Sequence, residues 1–247
     1  MPLGPVFRQN VARELMSRGY TWLSGQELAA ELATSADELQ MFGKYWHDLP
    51  LDAHLPAGQR TRRRRFGYYN LTVTQQGLQL EHSQDQAYLQ ADEQHPFGGM
   101  RRTFEPLQPA FRTHPLVAGL IATDFRCIPV EISRSSRQWL VDVHQIRVVA
   151  QPRGTAMPTP EGIHRDVETI GVSHLIARHG IVGGEFEIYR DGIRQTAWQQ
   201  SATLDTAMFV DAEVMHGVVP IACSSEGIGY RDVLLIGFTV GAPPARA

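Results

Sequence analysis

Apolar residues fall at three- and four-residue steps in the first half of the chain and near alternate positions in the second. These are the periods of an amphipathic helix and of a half-buried strand. Ser24 with Glu27, and Ser35 with Glu38, have the serine-x-x-glutamate spacing of capping boxes, where each side chain satisfies a backbone amide left open at a helix start. After Ser35, the residues Leu39, Phe42 and Trp46 trace one apolar helical face. Further on, "HPLVAGLIATDF" puts Pro115 where a first helical position tolerates it, ahead of another apolar face. Between these helices, "GYYNLTV" and "FGGMRRTF" read as short strands and loops.

From Trp139 onward the pattern is that of strands. "WLVDVHQIRVVA" is rich in β-branched residues, and "TIGVSHLIA", "GGEFEIY", "IRQTAWQ", "TAMFVD", "MHGVVPI" and "DVLLIGFTV" follow at short spacings. Asp191-Gly192 between two such runs is a hairpin signal. Short strands separated by turns predict an antiparallel sandwich or barrel rather than a parallel α/β sheet. There is no internal repeat, no low-complexity segment and no Pro/Gly/Ser-rich linker. The organisation expected is therefore a single α+β domain over 1–247, mainly β: a mostly helical support over 1–126 and a β-core over 138–240.

Composition narrows the function classes. A net charge of -3, with 43% hydrophobic and 20% charged residues, fits a soluble globular chain with no general attraction to nucleic acid or anionic lipid. The one dense basic run, "RTRRRRF" at Arg62 to Arg65, lacks basic surroundings; it reads as a solvated loop or a clamp on an anionic ligand. Cys127 and Cys223 fit no paired spacing, so they read as thiols in a reducing compartment. No apolar run approaches membrane-spanning length, and the first residues have no signal-peptide pattern. A cytoplasmic protein is expected, with a homodimer as one open assembly.

The chemistry centres on "GIHRDVETIGVSHLIARHG", residues 162–180. A His-x-Asp pair arises readily by chance, so it needs support from its context. Three features give it. His164 and Asp166 point the same way if the segment is extended. His216 follows on a separate strand, and two imidazoles with one carboxylate form the facial set suited to non-haem Fe(II). Arg231 opens a very apolar strand, where a guanidinium needs an anionic partner such as a planar carboxylate. His174 and His179 read as satisfied or exposed bystanders.

In this order, His164, Asp166, His216 and Arg231 resemble the Fe(II)/2-oxoglutarate dioxygenase superfamily on a double-stranded β-helix (a jelly roll, cupin-like). Within it, "PTPEGIHRD", "HLIARHGIVGGEFEIY" and "MHGVVPI" resemble the bacterial 2OG-Fe dioxygenase family, which includes free-amino-acid hydroxylases of the isoleucine 4-hydroxylase type. The resemblance is clearest over 138–240. It implies Fe(II) held by His164, Asp166 and His216, with Arg231 pairing the distal carboxylate of 2-oxoglutarate. It also implies O2 as cosubstrate, succinate and CO2 as products, and substrate-defining loops before residue 138. The glycine pair Gly183-Gly184 would begin a strand near the metal. Gln145 and Arg147, on the face opposite His144, would line the pocket, Arg147 holding the carboxylate of an amino-acid substrate. The expected reaction is hydroxylation of a small substrate, a free L-amino acid. The rivals are a peptidyl or protein hydroxylase on the same fold and a non-enzymatic cupin-like metal-binding sensor.

Overall fold

The computed structural model describes residues 5–55, 61–83, 87–89, 101–224 and 226–241. Its helices are α1 (Pro5–Arg18), α2 (Gly25–Glu31), α3 (Ala36–Gly43), α4 (Pro109–Arg112), α5 (Pro115–Cys127) and α6 (Val130–Ser133), with a 3-10 turn at Lys44–Trp46. At Ser35 the capping box is complete: its hydroxyl accepts from the Glu38 amide at 3.2 Å, and Glu38 accepts from the Ser35 amide at 2.8 Å. At Ser24 the hydroxyl accepts from the Glu27 amide without a reciprocal bond from the glutamate. Pro115 stands in the first turn of α5, as its missing N–H and fixed φ favour.

The strands are β1 (Tyr20–Leu23), β2 (Arg62–Thr74), β3 (Gly77–His82), β4 (Ala87–Leu89), β5 (Arg101–Thr103), β6 (Gln138–Ala150), β7 (Thr155–Ala156) and β8 (Ile170–His179). They continue with β9 (Ile181–Gly183), β10 (Phe186–Arg190), β11 (Ile193–Trp198), β12 (Thr206–Val210), β13 (Met215–Val218), β14 (Ile221–Cys223) and β15 (Gly229–Val240). Asp191 and Gly192 join β10 to β11 with φ of 53° and 75°, the left-handed pair that a tight hairpin requires. Of "FGGMRRTF", residues 97–100 lie outside the described residues; the remainder contains β5.

Seven strands form one antiparallel sheet in the order β1-β12-β8-β15-β6-β2-β3, and two three-stranded sheets, β11-β10-β13 and β7-β14-β9, complete a jelly roll. Strands from the first 82 residues thus interlock with the core rather than merely support it. Alternation sorts the large sheet into two faces. One packs against α1, α3 and α5 through a core that includes Phe42, Trp46, Phe111, Trp139, Leu234 and Phe238. Trp46 is fully buried, and its indole N–H donates to the carbonyls of Ile146 at 3.2 Å and Val233 at 3.1 Å. His174 is the polar tie on this face, 2.9 Å from Asp124 of α5 and 2.7 Å from Thr206.

The opposite face looks into a pocket closed by β10 and β13. Register places its side chains in rows across β2, β6 and β15: Arg62, Val148 and Arg231; then Arg64, Ile146 and Val233; then Phe66, His144 and Leu235.

Candidate active site

His164 and His216 come together through the backbone. The two residues exchange both hydrogen bonds, amide to carbonyl, each at 3.0 Å, as an isolated antiparallel bridge between the 164–168 segment and β13. Their rings lie 4.4 Å apart, centroid to centroid. The Asp166 carboxylate completes the group, 3.6 Å from Nε2 of His164 and 3.4 Å from Nε2 of His216. One ligand atom from each of the three falls within 4.8 Å of the others. After Asp166 the chain turns sharply, with Val167 at φ 64°. Asp211 holds that turn by accepting from the amides of Asp166 at 3.1 Å and Val167 at 2.8 Å.

The surroundings fix each ring. Nδ1 of His164 lies 3.0 Å from the carbonyl of Gly162, which assigns it the proton and leaves Nε2 as the donor atom facing Asp166. The His216 ring stacks on Phe186 at 5.6 Å and leans on Phe209 at 4.4 Å. Burial opposes a charge on His164, but Asp166 and Glu161 overcome it and lift the imidazole to about 9. Burial would likewise raise Asp166, yet the two imidazoles hold it well below the usual carboxylate range. Two nitrogens and one carboxylate oxygen converging from one side, with no fourth protein ligand among the described residues, suit a metal that must keep positions open.

Arg231 lines the same pocket and is buried. Its guanidinium donates to Gln200 at 2.5 Å, while its Nε has no hydrogen-bond partner. Burial, and then the neighbouring Arg178, lower it to about 10, with Asp232 opposing. A buried guanidinium with an unused donor marks a place for an anion.

The 2OG-Fe dioxygenase family model matches residues 43–237, most of the chain. The chain belongs to that family. As a 2OG-Fe dioxygenase it is an enzyme that uses Fe(II), 2-oxoglutarate and O2. It is similar to the L-isoleucine-4-hydroxylase of Bacillus thuringiensis, 26% identical over 72% of this chain and 75% of the relative. It is 25% identical to the 3(1)-hydroxy-L-isoleucine 4-dioxygenase of Pantoea ananatis, over 92% of this chain and 94% of the relative. Among solved structures, a bsmA homolog from Methylobium petroleophilum matches with a TM-score of 0.85 at 27% identity, covering 100% of this chain and 97% of that one.

Of the residues singled out in the sequence of this dioxygenase, His164, Asp166, His216 and Arg231 line one pocket. Gln145 and Arg147 do not. Arg147 forms a two-pronged pair with Asp232 at 2.7 and 2.6 Å and lies under the Tyr230 ring, and Gln145 donates to the carbonyl of Tyr45 at 3.4 Å. The alternation along β6 is as expected, but the inward face is the other one, so His144 lines the pocket. Arg147 and Asp232 stand directly opposite on β6 and β15, so the arginine already has its acid. The glycine pair makes room for the 220–221 segment rather than for the metal group: a Cβ on Gly183 would lie 2.1 Å from the Pro220 carbonyl oxygen and one on Gly184 3.0 Å from Cγ2 of Ile221.

Sequence reasoning missed Asp211, Gln200 and Glu161 altogether, because each acts through a fold contact with no local motif. Of the two readings of the arginine run, the solvated loop is overturned, because β2 is a strand there. Alternation buries Arg62 and Arg64 in the pocket and leaves Arg63 and Arg65 outside.

The described residues contain no helix long and apolar enough to cross a membrane.

Proposed function

We propose that this dioxygenase hydroxylates a free aliphatic L-amino acid, with His164, Asp166 and His216 holding Fe(II) and Arg231 holding the distal carboxylate of 2-oxoglutarate. The observation that carries the reading is the buried guanidinium of Arg231, with its unused Nε, in the same pocket as the three convergent ligands. The isoleucine-directed names of the two relatives support the substrate class.

When bound, the iron with its cosubstrate and O2 supplies an oxidant able to attack an unactivated C–H bond, and 2-oxoglutarate leaves as succinate and CO2. The chain does the rest. Asp211 and the His164–His216 bridge fix the ligands before any metal arrives. Gln200 aims the Arg231 fork into the pocket. Phe186, Phe209, Val218 and Leu235 wall the space around the ligands with hydrocarbon, excluding water from the reacting centre and giving an aliphatic side chain a surface to pack on.

Anaerobic titration with Fe(II) and 2-oxoglutarate tests this. The wild type is expected to develop a visible charge-transfer band, which His216→Ala abolishes. Arg231→Leu should raise the 2-oxoglutarate concentration for half-development by about 30-fold or more. In air, one or more of the twenty free amino acids should stimulate succinate release and gain one oxygen atom by mass spectrometry. A band that survives His216→Ala, or an Arg231→Leu titration that matches wild type, overturns the ligand assignment. Turnover stimulated by peptides and by no free amino acid overturns the substrate.

A further inference from the structure

The pocket has a second cationic end, away from Arg231. Arg62 and Arg64 project into it from β2, two strands across the sheet from β15. At about 4.8 Å per strand the two ends are ~10 Å apart along the sheet, with Val148 between Arg62 and Arg231. Arg62 is neutralised by Asp52 at 2.9 Å, both side chains buried. Arg64, 6% exposed, has no such carboxylate in direct contact among the described residues: its Nε and Nη2 donate to Nδ1 of His144 at 3.2 and 2.5 Å, and Nε2 of that ring lies 2.9 Å from Asp142.

His144 is not a counter-ion. Burial, and then Arg64 itself, push the imidazole down to about 4, with Asp142 opposing, so the ring accepts as a neutral base. Arg64 otherwise rests on aromatic faces, 4.1 Å from the Phe104 centroid and 5.7 Å from that of Tyr88. Arg102 of β5 stands 5.4 Å from each of the same two rings. A full positive charge is thus held in a nearly dry site by π-faces and by an imidazole that stands between it and Asp142, with no carboxylate in direct contact among the described residues, an arrangement that an anion would complete.

Lining the same pocket, next to Arg62, is an acid with one oxygen that no hydrogen bond uses. Glu161 is 11% exposed in its side chain, with Oε1 3.6 Å from Nε2 of His164 and Oε2 3.9 Å from Arg62. Its Oε2 is buried and accepts no hydrogen bond.

We infer that Arg64 and Glu161 are the α-carboxylate and α-ammonium subsites, so that the amino acid is held as a zwitterion beside the metal ligands. The inference rests on the amino-acid reading above and adds the residues that select for it. The two arginine ends then divide the labour: Arg231 holds the cosubstrate's carboxylate and Arg64 the substrate's, and neither ligand needs the other's site. A forked donor at one end and an orphan acceptor at the other discriminate against any analogue lacking either charge, because the partner group is then left buried and unpaired.

Calorimetric titrations test this without turnover, using protein loaded with Mn(II) and 2-oxoglutarate. The probes are L-isoleucine, L-isoleucinamide, which lacks the carboxylate, and 3-methylpentanoate, which lacks the ammonium. Wild type is expected to bind either truncated probe at least about 30-fold more weakly than L-isoleucine. Arg64→Met should weaken L-isoleucine by a similar factor and leave the amide unchanged; Glu161→Gln should weaken L-isoleucine and leave 3-methylpentanoate unchanged. Arg64→Lys, which keeps the charge and loses the fork, should fall between. The Fe(II)–2-oxoglutarate band, retained in each variant, reports an intact pocket. An Arg64→Met protein that keeps the band and still prefers L-isoleucine to its amide as strongly as wild type overturns the assignment. If wild type shows the band but binds none of the twenty amino acids, the amino-acid reading itself falls and the assignment with it.

Discussion

On the helix side of the large sheet, β6 presents Trp139, Val141 and Val143 to a continuous apolar core. On the pocket side the same strand presents His144 and then Ile146 and Val148, with Arg64 and Arg231 on the strands to either side. The outer face buries hydrocarbon, and its charged groups find acids, His174 with Asp124 and Arg147 with Asp232, although the buried Gln145 Oε1 has no hydrogen-bond partner. The inner face carries two guanidiniums, Arg64 and Arg231, with no carboxylate in direct contact among the described residues, and polar atoms such as Arg231 Nε and Glu161 Oε2 without a hydrogen bond. Stability therefore comes from one face and is drawn down by the other, and the two share a single set of backbones. A site with unmet polar groups persists because the sheet beneath it is over-determined from behind.

The largest test of that division is Trp46→Ala. Removing a fully buried indole should cost ~4 kcal/mol in denaturant unfolding. Because that indole also holds the carbonyls of Ile146 and Val233, 2-oxoglutarate affinity of the folded fraction is the discriminating measurement. Unchanged affinity upholds separate faces; a large loss shows that the pocket depends on this one tie.

Next comes the pH dependence of His144. Its ordinary value is 6.5 and its folded value about 4, so below pH 6.5 the unfolded chain takes a proton that the folded chain refuses. Stability present above pH 6.5 is then lost as pH falls toward 4, by up to ~3 kcal/mol from this group. His144→Gln should flatten that part of the curve when unfolding is compared at pH 7 and pH 4.5. An unaltered slope in the variant would remove His144 as a neutral acceptor.

The smallest effect belongs to the outer layer. Ser35→Ala should cost ~1 kcal/mol by opening the capping box of α3, with no change in turnover. A fall in turnover there would mean that helix packing reaches the site.

How much of this was legible follows from where each signal sits in the chain. The strands after Trp139 carry their period in their own residues, so an antiparallel sandwich or barrel was readable from alternation, and the jelly roll only from the family resemblance. The four-residue set was readable because its spacing belongs to a known family. The inward face of β6 was not, since "HQIR" offers a polar side chain on both faces and only the position of Asp232 on β15 decides between them. Arg64 hid within a run of like charges, and its significance depends on His144, eighty residues away. Asp211 and Gln200 lie in loops whose sequence gives no reason to choose them over their neighbours.

The position of β15 in the sheet has a consequence for how the molecule is made. It is the last strand in sequence among the described residues, yet it lies fourth of seven, hydrogen-bonded to β8 on one side and β6 on the other. Until it inserts, the strands already synthesised form two half-sheets with exposed edges, and most of the pairing to be made spans a long stretch of chain. Because the same strand carries Arg231, the anchor proposed above for the cosubstrate, assembly and competence would coincide: a folding intermediate lacking β15 would lack that guanidinium. Ligand-dependent protection from proteolysis should then arise in the same step as the closed sheet, with no earlier species able to sequester 2-oxoglutarate.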